Sequence, residues 1–199
     1  AYPLTGYFNL PKILEVTLHN GVDPRTGRLI GLKTGDPREF SGYDELFDAY
    51  CAQMRHFIDI KVRGSNINTQ LCARLNPVPF MSIMTEDCIA RGQDYNAGGA
   101  RYNTTYLQGV GIGSITDALA SLRFNVFDER RVSMGEMLDA LEANFEGERF
   151  AALRGMVSRR TPKYGNDDDY ADDIMRAVFA CFRDAVTGRP NMRRGEWRV

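Results

Sequence analysis

The amino-acid sequence predicts an α/β fold that is mainly helical and better suited to being a slice of a larger α/β body than an independent sheet domain. Three observations predict it. Residues 94–121, DYNAGGARYNTTYLQGVGIGSITDALAS, crowd five glycines around a short extended run and then launch a helix. About seven stretches, that helix included, carry helical periodicity, which leaves too little strand for a self-contained sheet. No internal repeat, low-complexity tract or shift in composition marks a domain boundary within the 199 residues.

Phe8 to Asn20 reads as the first helix. Phe8, Leu10, Ile13, Leu14, Val16 and Leu18 are dense enough for a buried face, Pro11 falls in the first turn, and His19-Asn20-Gly21 stops it. Val22 to Gly42 is a loop punctuated by DPRTG and GDPREF, long enough to be either functional or clamped. Ser41 with Asp44 resembles a cap for a long helix from Tyr43 toward Leu75, with a bend at Gly64 and an end at Pro77 and Pro79. A short helix over Phe80 to Ala90 follows.

Tyr102 to Gly109 is the one clear strand, Ser114 to Phe124 the helix after it, and Asn125 to Asp128 a turn or short strand. Ser133 and Glu136 form a Ser-x-x-Glu capping box for a helix reaching Phe145. Two more helices cover Glu148 to Ser158 and Asp168 to Val186, the last stopped by Thr187-Gly188-Arg189-Pro190.

The glycines carry the strongest local signal. Gly98 and Gly99 remove two Cβ atoms just before Arg101 and Tyr102, so the backbone can turn sharply or let another segment approach closely. Gly109, Gly111 and Gly113 alternate at strand spacing and leave one face of the strand end without side chains. Arg101, Tyr102 and Asn103 are expected to hold this strand through the hydrogen bonds that a buried turn requires.

Several classes of function are disfavoured. A formal charge of −1 gives no electrostatic reason for a nucleic acid or an anionic membrane as partner. No apolar run approaches the roughly 20 residues that cross a bilayer, and there is no secretory signal pattern, so a cytoplasmic location is the default. Cys51, Cys72, Cys88 and Cys181 are scattered singly, which argues against zinc or iron–sulfur sites and for core thiols.

Two rival sites fail on spacing. GVGIG before a helix imitates a dinucleotide loop, but the third glycine position falls on Ser114 or Thr116, and Asn103, Thr104 and Gln108 are polar where a buried parallel strand is apolar. The acidic run from Asn166 to Asp173 supplies carboxylates for a hard cation, yet lacks the alternate ligand spacing of a calcium loop. A capped helix N-terminus, with Lys163 pairing one carboxylate, explains it better. No metal site is expected. The arginines at 189, 193, 194 and 198 read as a solvated edge.

Three stretches in order carry a resemblance: DCIARGQDYNAGGARYN followed by GVGIGSITDALAS, PKYGNDDDYADDI at 162–174, and the opening AYPLTGYFNLPKILEVTLHNG. Together they resemble the glycyl radical enzymes, the superfamily of pyruvate formate-lyase. The LTGY opening and the DPRTGRLIGLKTGDP loop resemble the branch that dehydrates trans-4-hydroxy-L-proline. The resemblance implies that the fold is a mainly helical segment of that family's ten-stranded α/β barrel.

It also implies that residues 1–199 are an internal part of the enzyme domain, because the family's thiyl-forming cysteine loop and its C-terminal glycyl radical loop are both missing. Ala1 in place of methionine is a weak hint in the same direction. The implied activity is lyase chemistry, a radical elimination of water from hydroxyproline, with pyruvate formate-lyase-type acyl transfer, another glycyl radical lyase, or a docking or scaffold role as alternatives. The fragment alone is expected to be inactive. No cofactor is expected to bind this chain directly: the glycyl radical lies on a residue outside it and is installed by an activase that uses S-adenosylmethionine and an iron–sulfur cluster. Expected partners are the remainder of the polypeptide, that activase, a second copy in a homodimer, and a small-molecule substrate.

No residue here is assigned to catalysis. Tyr7 occupies the position of the LTGY tyrosine that lies in the substrate pocket of the hydroxyproline branch, which makes it the candidate substrate-binding residue. A phenol there can hydrogen-bond a substrate hydroxyl or carboxylate. An ordinary core tyrosine ahead of a buried helix is the alternative.

Overall fold

A computed structural model describes the backbone of residues 4–199 and the side chains of residues 6–199. Residues 1–3 of the opening motif therefore lie outside the described residues. The chain forms two compact units, each assembled from separated segments: Ala1–Phe8, Arg55–Val110 and Phe182–Val199 in one, Asn9–Met54 and Gly111–Cys181 in the other.

The first unit contains a three-stranded sheet. Its strands are β1 (Leu4–Asn9), β4 (Thr105–Val110) and β5 (Trp197–Arg198), in the order β1-β4-β5. β4 and β5 run parallel, with Thr105 opposite Trp197 and Tyr106 opposite Arg198. The expectation of a single strand is thus corrected twice. Residues 8–9 belong to β1 and not to the first helix, because a proline is tolerated only in a helix's first turn and Pro11 already occupies it. The helix, α1 (Leu10–Leu18), starts after Asn9, whose side chain accepts from the Lys12 amide at 3.2 Å.

At the other end the expected solvated tail folds back as β5. The Thr105 amide donates to the Glu196 carbonyl at 2.9 Å, Trp197 to Arg189 at 2.8 Å, and Gly188 to Trp197 at 3.0 Å. Trp197 is buried, with its indole N–H on Asn66 Oδ1 at 3.2 Å. Asn66 lies on α2 (Tyr43–Leu75), a helix that passes unbroken through Gly64 and ends before Pro77. After it come α3 (Pro79–Ile83) and α4 (Cys88–Arg91) in place of one short helix. Asp87, with φ +73°, separates them.

The second unit is helical apart from a two-residue ladder of β2 (Val22–Asp23) with β3 (Arg28–Leu29), antiparallel, inside the loop after α1. That loop is clamped. Gln53, fully buried on α2, accepts from the Leu32 amide at 2.9 Å and donates to the Leu32 carbonyl at 2.5 Å. The start of α2 is capped through Glu45 and not Asp44: the Ser41 amide and hydroxyl both donate to the Glu45 carboxylate.

α5 (Ile112–Leu122) does not give way to a turn or strand but widens into a π-helical turn at Arg123–Asp128. The buried Asn125 explains this, since its side-chain amide donates to the Ser121 carbonyl at 2.9 Å, the acceptor that its own backbone amide would otherwise use. α6 (Met134–Glu142) carries the expected Ser133–Glu136 capping box and is shorter than predicted. α7 (Ala151–Arg159) follows a 3₁₀ turn at Glu148–Phe150, and α8 (Asp169–Val186) closes the helical series. Asp168 accepts from the Tyr170 amide at 3.0 Å, so the acidic run contributes a helix cap. Lys163 donates to Ser121, not to that run.

Candidate functional site

The β1-β4-β5 sheet has one packed face and one open face, and strand alternation decides which residues reach each. Phe8 is buried and stacks on Phe182 with centroids 5.7 Å apart. Thr105, Leu107 and Trp197 are buried with it. Gly109 belongs to this packed face, since a Cβ there would lie 3.0 Å from the Phe182 ring. Their neighbours in sequence point the other way.

Tyr7, 67% exposed, stands on the open face of β1. On β4 the alternate positions Tyr106 and Gln108 are half-buried and exposed, and on β5 Arg198 is exposed and ion-paired with Glu196 at 2.6 Å. The surface is hydroxyl-, amide- and guanidinium-bearing, suited to hydrogen bonds with a polar substrate rather than to packing. Beside it, Gly6 has φ +141° and leaves room for Lys61, whose Nζ would lie 3.1 Å from a Cβ at that position. Within this chain the Tyr7 side chain is not packed into a core. In the sequence Tyr106 carries no distinguishing signal and Arg198 reads only as part of a solvated edge; the polar alternation of β4, used there to reject a nucleotide site, is what marks this face.

The glycines act separately and do not form one bare ribbon. β4 ends at Val110, so Gly111 and Gly113 are not strand residues. Gly111, φ +83°, is the N-cap of α5, where a Cβ would meet the Pro11 ring at 2.7 Å, and Gly113 sits in the first turn of α5 against Tyr164. Gly98 and Gly99 fulfil the expectation of close backbone approach. A Cβ on Gly98 would lie 2.7 Å from the Arg193 carbonyl, and one on Gly99 only 2.0 Å from the Gln93 carbonyl.

Of the three residues expected to hold that turn, Asn103 does so, donating to the carbonyls of Gly98 at 3.1 Å and Ala100 at 2.9 Å. Asn191 closes the circuit by donating to the Asn103 carbonyl at 2.6 Å and accepting from the amides of Arg193 and Gly195. Arg101 instead lies at the surface with Asp87 at 2.9 Å and Glu86 at 3.2 Å, and Tyr102 is exposed. The Arg101 guanidinium holds the Asp87 carboxyl below its ordinary range. Among the described residues no cluster of His, Cys, Asp and Glu has the makings of a metal site. Among the described residues no disulfide joins the four cysteines; Cys51 and Cys88 are buried, Cys72 and Cys181 half-buried.

The chain is a helix-rich α/β fold with a small, partly parallel sheet, one face of which is packed and the other lined by a tyrosine and polar groups. The chain belongs to the pyruvate formate lyase-like family, whose model matches residues 1–199. Trans-4-hydroxy-L-proline dehydratase of Clostridioides difficile is 54% identical over 199 residues, which is 100% of this chain and 25% of that protein. (2S)-3-sulfopropanediol dehydratase of Klebsiella oxytoca is 36% identical over 192 residues, 96% of this chain and 23% of that protein. The crystal structure of the Clostridioides difficile hydroxyproline dehydratase with trans-4-hydroxy-L-proline bound matches with a TM-score of 0.96 over 100% of this chain and 25% of that one. The chain thus spans about a quarter of the length of these relatives.

Proposed function

We propose that this chain forms part of a glycyl radical lyase that eliminates water from trans-4-hydroxy-L-proline, and that Tyr7 contacts the substrate. The observation that carries the proposal is the exposed Tyr7 on the open sheet face of a chain 54% identical, end to end, to a hydroxyproline dehydratase. In this reading residues 1–199 are an internal part of the enzyme domain. The glycyl radical lies outside them and supplies the hydrogen abstraction that starts the elimination. An activase using S-adenosylmethionine and an iron–sulfur cluster installs it, and the intact enzyme is a cytoplasmic homodimer working without oxygen.

What this chain contributes is orientation. The Tyr7 hydroxyl donates to a substrate carboxylate or accepts from a substrate hydroxyl while its ring covers one side of the bound molecule from water. Two further observations support the reading. Leu75, Phe80, Met84 and Ile89 each leave at least 70% of their surface exposed, as expected of faces covered by the rest of a longer polypeptide. No helix among the described residues is long and apolar enough to cross a membrane.

The test is Tyr7→Phe in the intact, anaerobically activated protein. Loss of one substrate hydrogen bond should lower kcat/KM for hydroxyproline about tenfold. The thermal midpoint should stay nearly unchanged, because the substitution keeps the ring and removes a single hydroxyl. A wild-type rate in the variant removes Tyr7 from the site.

A further inference from the structure

Glu196 and Arg198 share the open face of the sheet, because the residue between them, Trp197, points to the packed side and is buried. Glu196 is half-buried and Arg198 exposed. Nε and Nη2 of Arg198 donate to Glu196 Oε1 at 2.7 and 2.6 Å, so both contacts fall on a single carboxylate oxygen. The backbone holds the pair in register, with the Glu196 carbonyl accepting from the Thr105 amide at 2.9 Å.

Tyr106 lies opposite Arg198 in the parallel pairing, and β4 separates this ion pair from Tyr7 on β1. Adjacent strands lie about 4.8 Å apart, so β1 and β5 are about 10 Å apart, a separation that a small molecule lying over β4 can bridge between a phenol and a guanidinium. Charge decides what fits there. A carboxylate alone would face Glu196 and an amine alone would face Arg198, whereas a zwitterion meets each with the opposite sign.

We propose that Glu196 and Arg198 make this face selective for an amino-acid zwitterion: Arg198 donates to the substrate carboxylate, and the carboxylate of Glu196 accepts from the ring ammonium. Arg198 suits the task because a guanidinium edge matches a carboxylate with two parallel N–H groups. Tyr7 then meets the substrate hydroxyl, which lies across the ring from the carboxylate. The inference rests on the reading of this chain as part of a hydroxyproline dehydratase and names the residues that recognise the charged end of that substrate.

Calorimetric titration of the intact, unactivated protein tests it, because binding is read without turnover. The probes are trans-4-hydroxy-L-proline, its amide, which lacks the carboxylate, and the analogue with oxygen in place of the ring nitrogen, which lacks the ammonium. The wild type should bind hydroxyproline at least about tenfold more tightly than either analogue. Arg198→Gln should erase the preference over the amide, Glu196→Gln the preference over the ring-oxygen analogue, and Arg198→Lys should restore part of the first. A role confined to holding β5 weakens all three probes alike and leaves both ratios intact. A wild type without these preferences, or variants that keep them, overturns the proposal. Turnover by the activated wild type separates the two readings: an enzyme that dehydrates hydroxyproline while the variants keep both ratios defeats this inference alone, and one that neither binds nor dehydrates it defeats the assigned reaction as well.

Discussion

At the scale of single residues, the two glycines before β4 differ from most of the others because what they exclude is backbone and not solvent. Gly99 has an ordinary backbone conformation, so its role is purely steric: a methyl group there would sit 2.0 Å from the Gln93 carbonyl and 3.0 Å from the Cys88 sulfur. Neither the peptide nor the buried thiol can retreat without opening the turn that Asn103 closes. Gly155 is the contrasting case, a helix-interior glycine on α7 with nothing within 4 Å of a Cβ. Alanine should therefore act in opposite directions at the two positions. Gly99→Ala should destabilise by about 3 kcal/mol through overpacking, whereas Gly155→Ala should stabilise by about 1 kcal/mol through helix propensity. Denaturant melts of the intact protein check both, and equal effects would mean that the Gly99 turn yields more easily than its contacts imply.

At the scale of elements, the loop after α1 is held by charge as well as by Gln53. Lys12 of α1 reaches Asp23 of β2 at 2.7 Å and also pairs with Glu15, and the Thr26 hydroxyl donates to the other Asp23 oxygen at 2.7 Å. The hydrogen bond from Lys12, followed by that from Thr26, lowers the Asp23 carboxyl from its ordinary 3.8 to about 2. A depressed carboxyl stabilises the folded state fully above its unfolded value and loses that contribution as pH falls through the folded one. Asp23→Asn should lower stability at neutral pH, where the carboxylate contributes fully, and remove the part of the acid dependence lying between pH 3.8 and about 2. Acid titration followed by hydrogen exchange at Gly27, whose amide donates to the Asp23 carbonyl, reads this directly. The elements most legible in sequence were those with local punctuation: the Ser133–Glu136 box, Pro77 after α2, and Gly188 after α8 all act within a few residues. β1 and β5 were not legible, because a six-residue and a two-residue strand gain their identity from a distant partner, β4. The π-helical turn was hidden for a similar reason, since it depends on one asparagine side chain reaching Thr161 as well as Ser121.

At the scale of the whole molecule, the chain weaves two units from five segments, which is why no linker or compositional step announces them. The family was legible from three motifs, and so was the close backbone approach at Gly98 and Gly99. The open sheet face and the Glu196–Arg198 pair on it were not, because both require knowing that the C-terminal segment returns to β4. That return depends on Trp197. Its indole is 1% exposed, its N–H meets Asn66 at 3.2 Å, and its strand presents the Glu196 carbonyl to the Thr105 amide. Trp197→Ala should leave a cavity beneath the sheet and cost about 3–5 kcal/mol of local stability. Trp197→Phe keeps most of the apolar volume and loses one hydrogen bond, a cost of about 1 kcal/mol. Amide exchange separates the two: the protection of Thr105 and Gly188 should fall by a factor of about 100 or more in the alanine variant and by roughly tenfold or less in the phenylalanine variant. Equal exchange in both would assign the anchoring to the Asn191 hydrogen bonds instead of the tryptophan, since those join the same segment to the Asn103 carbonyl without it.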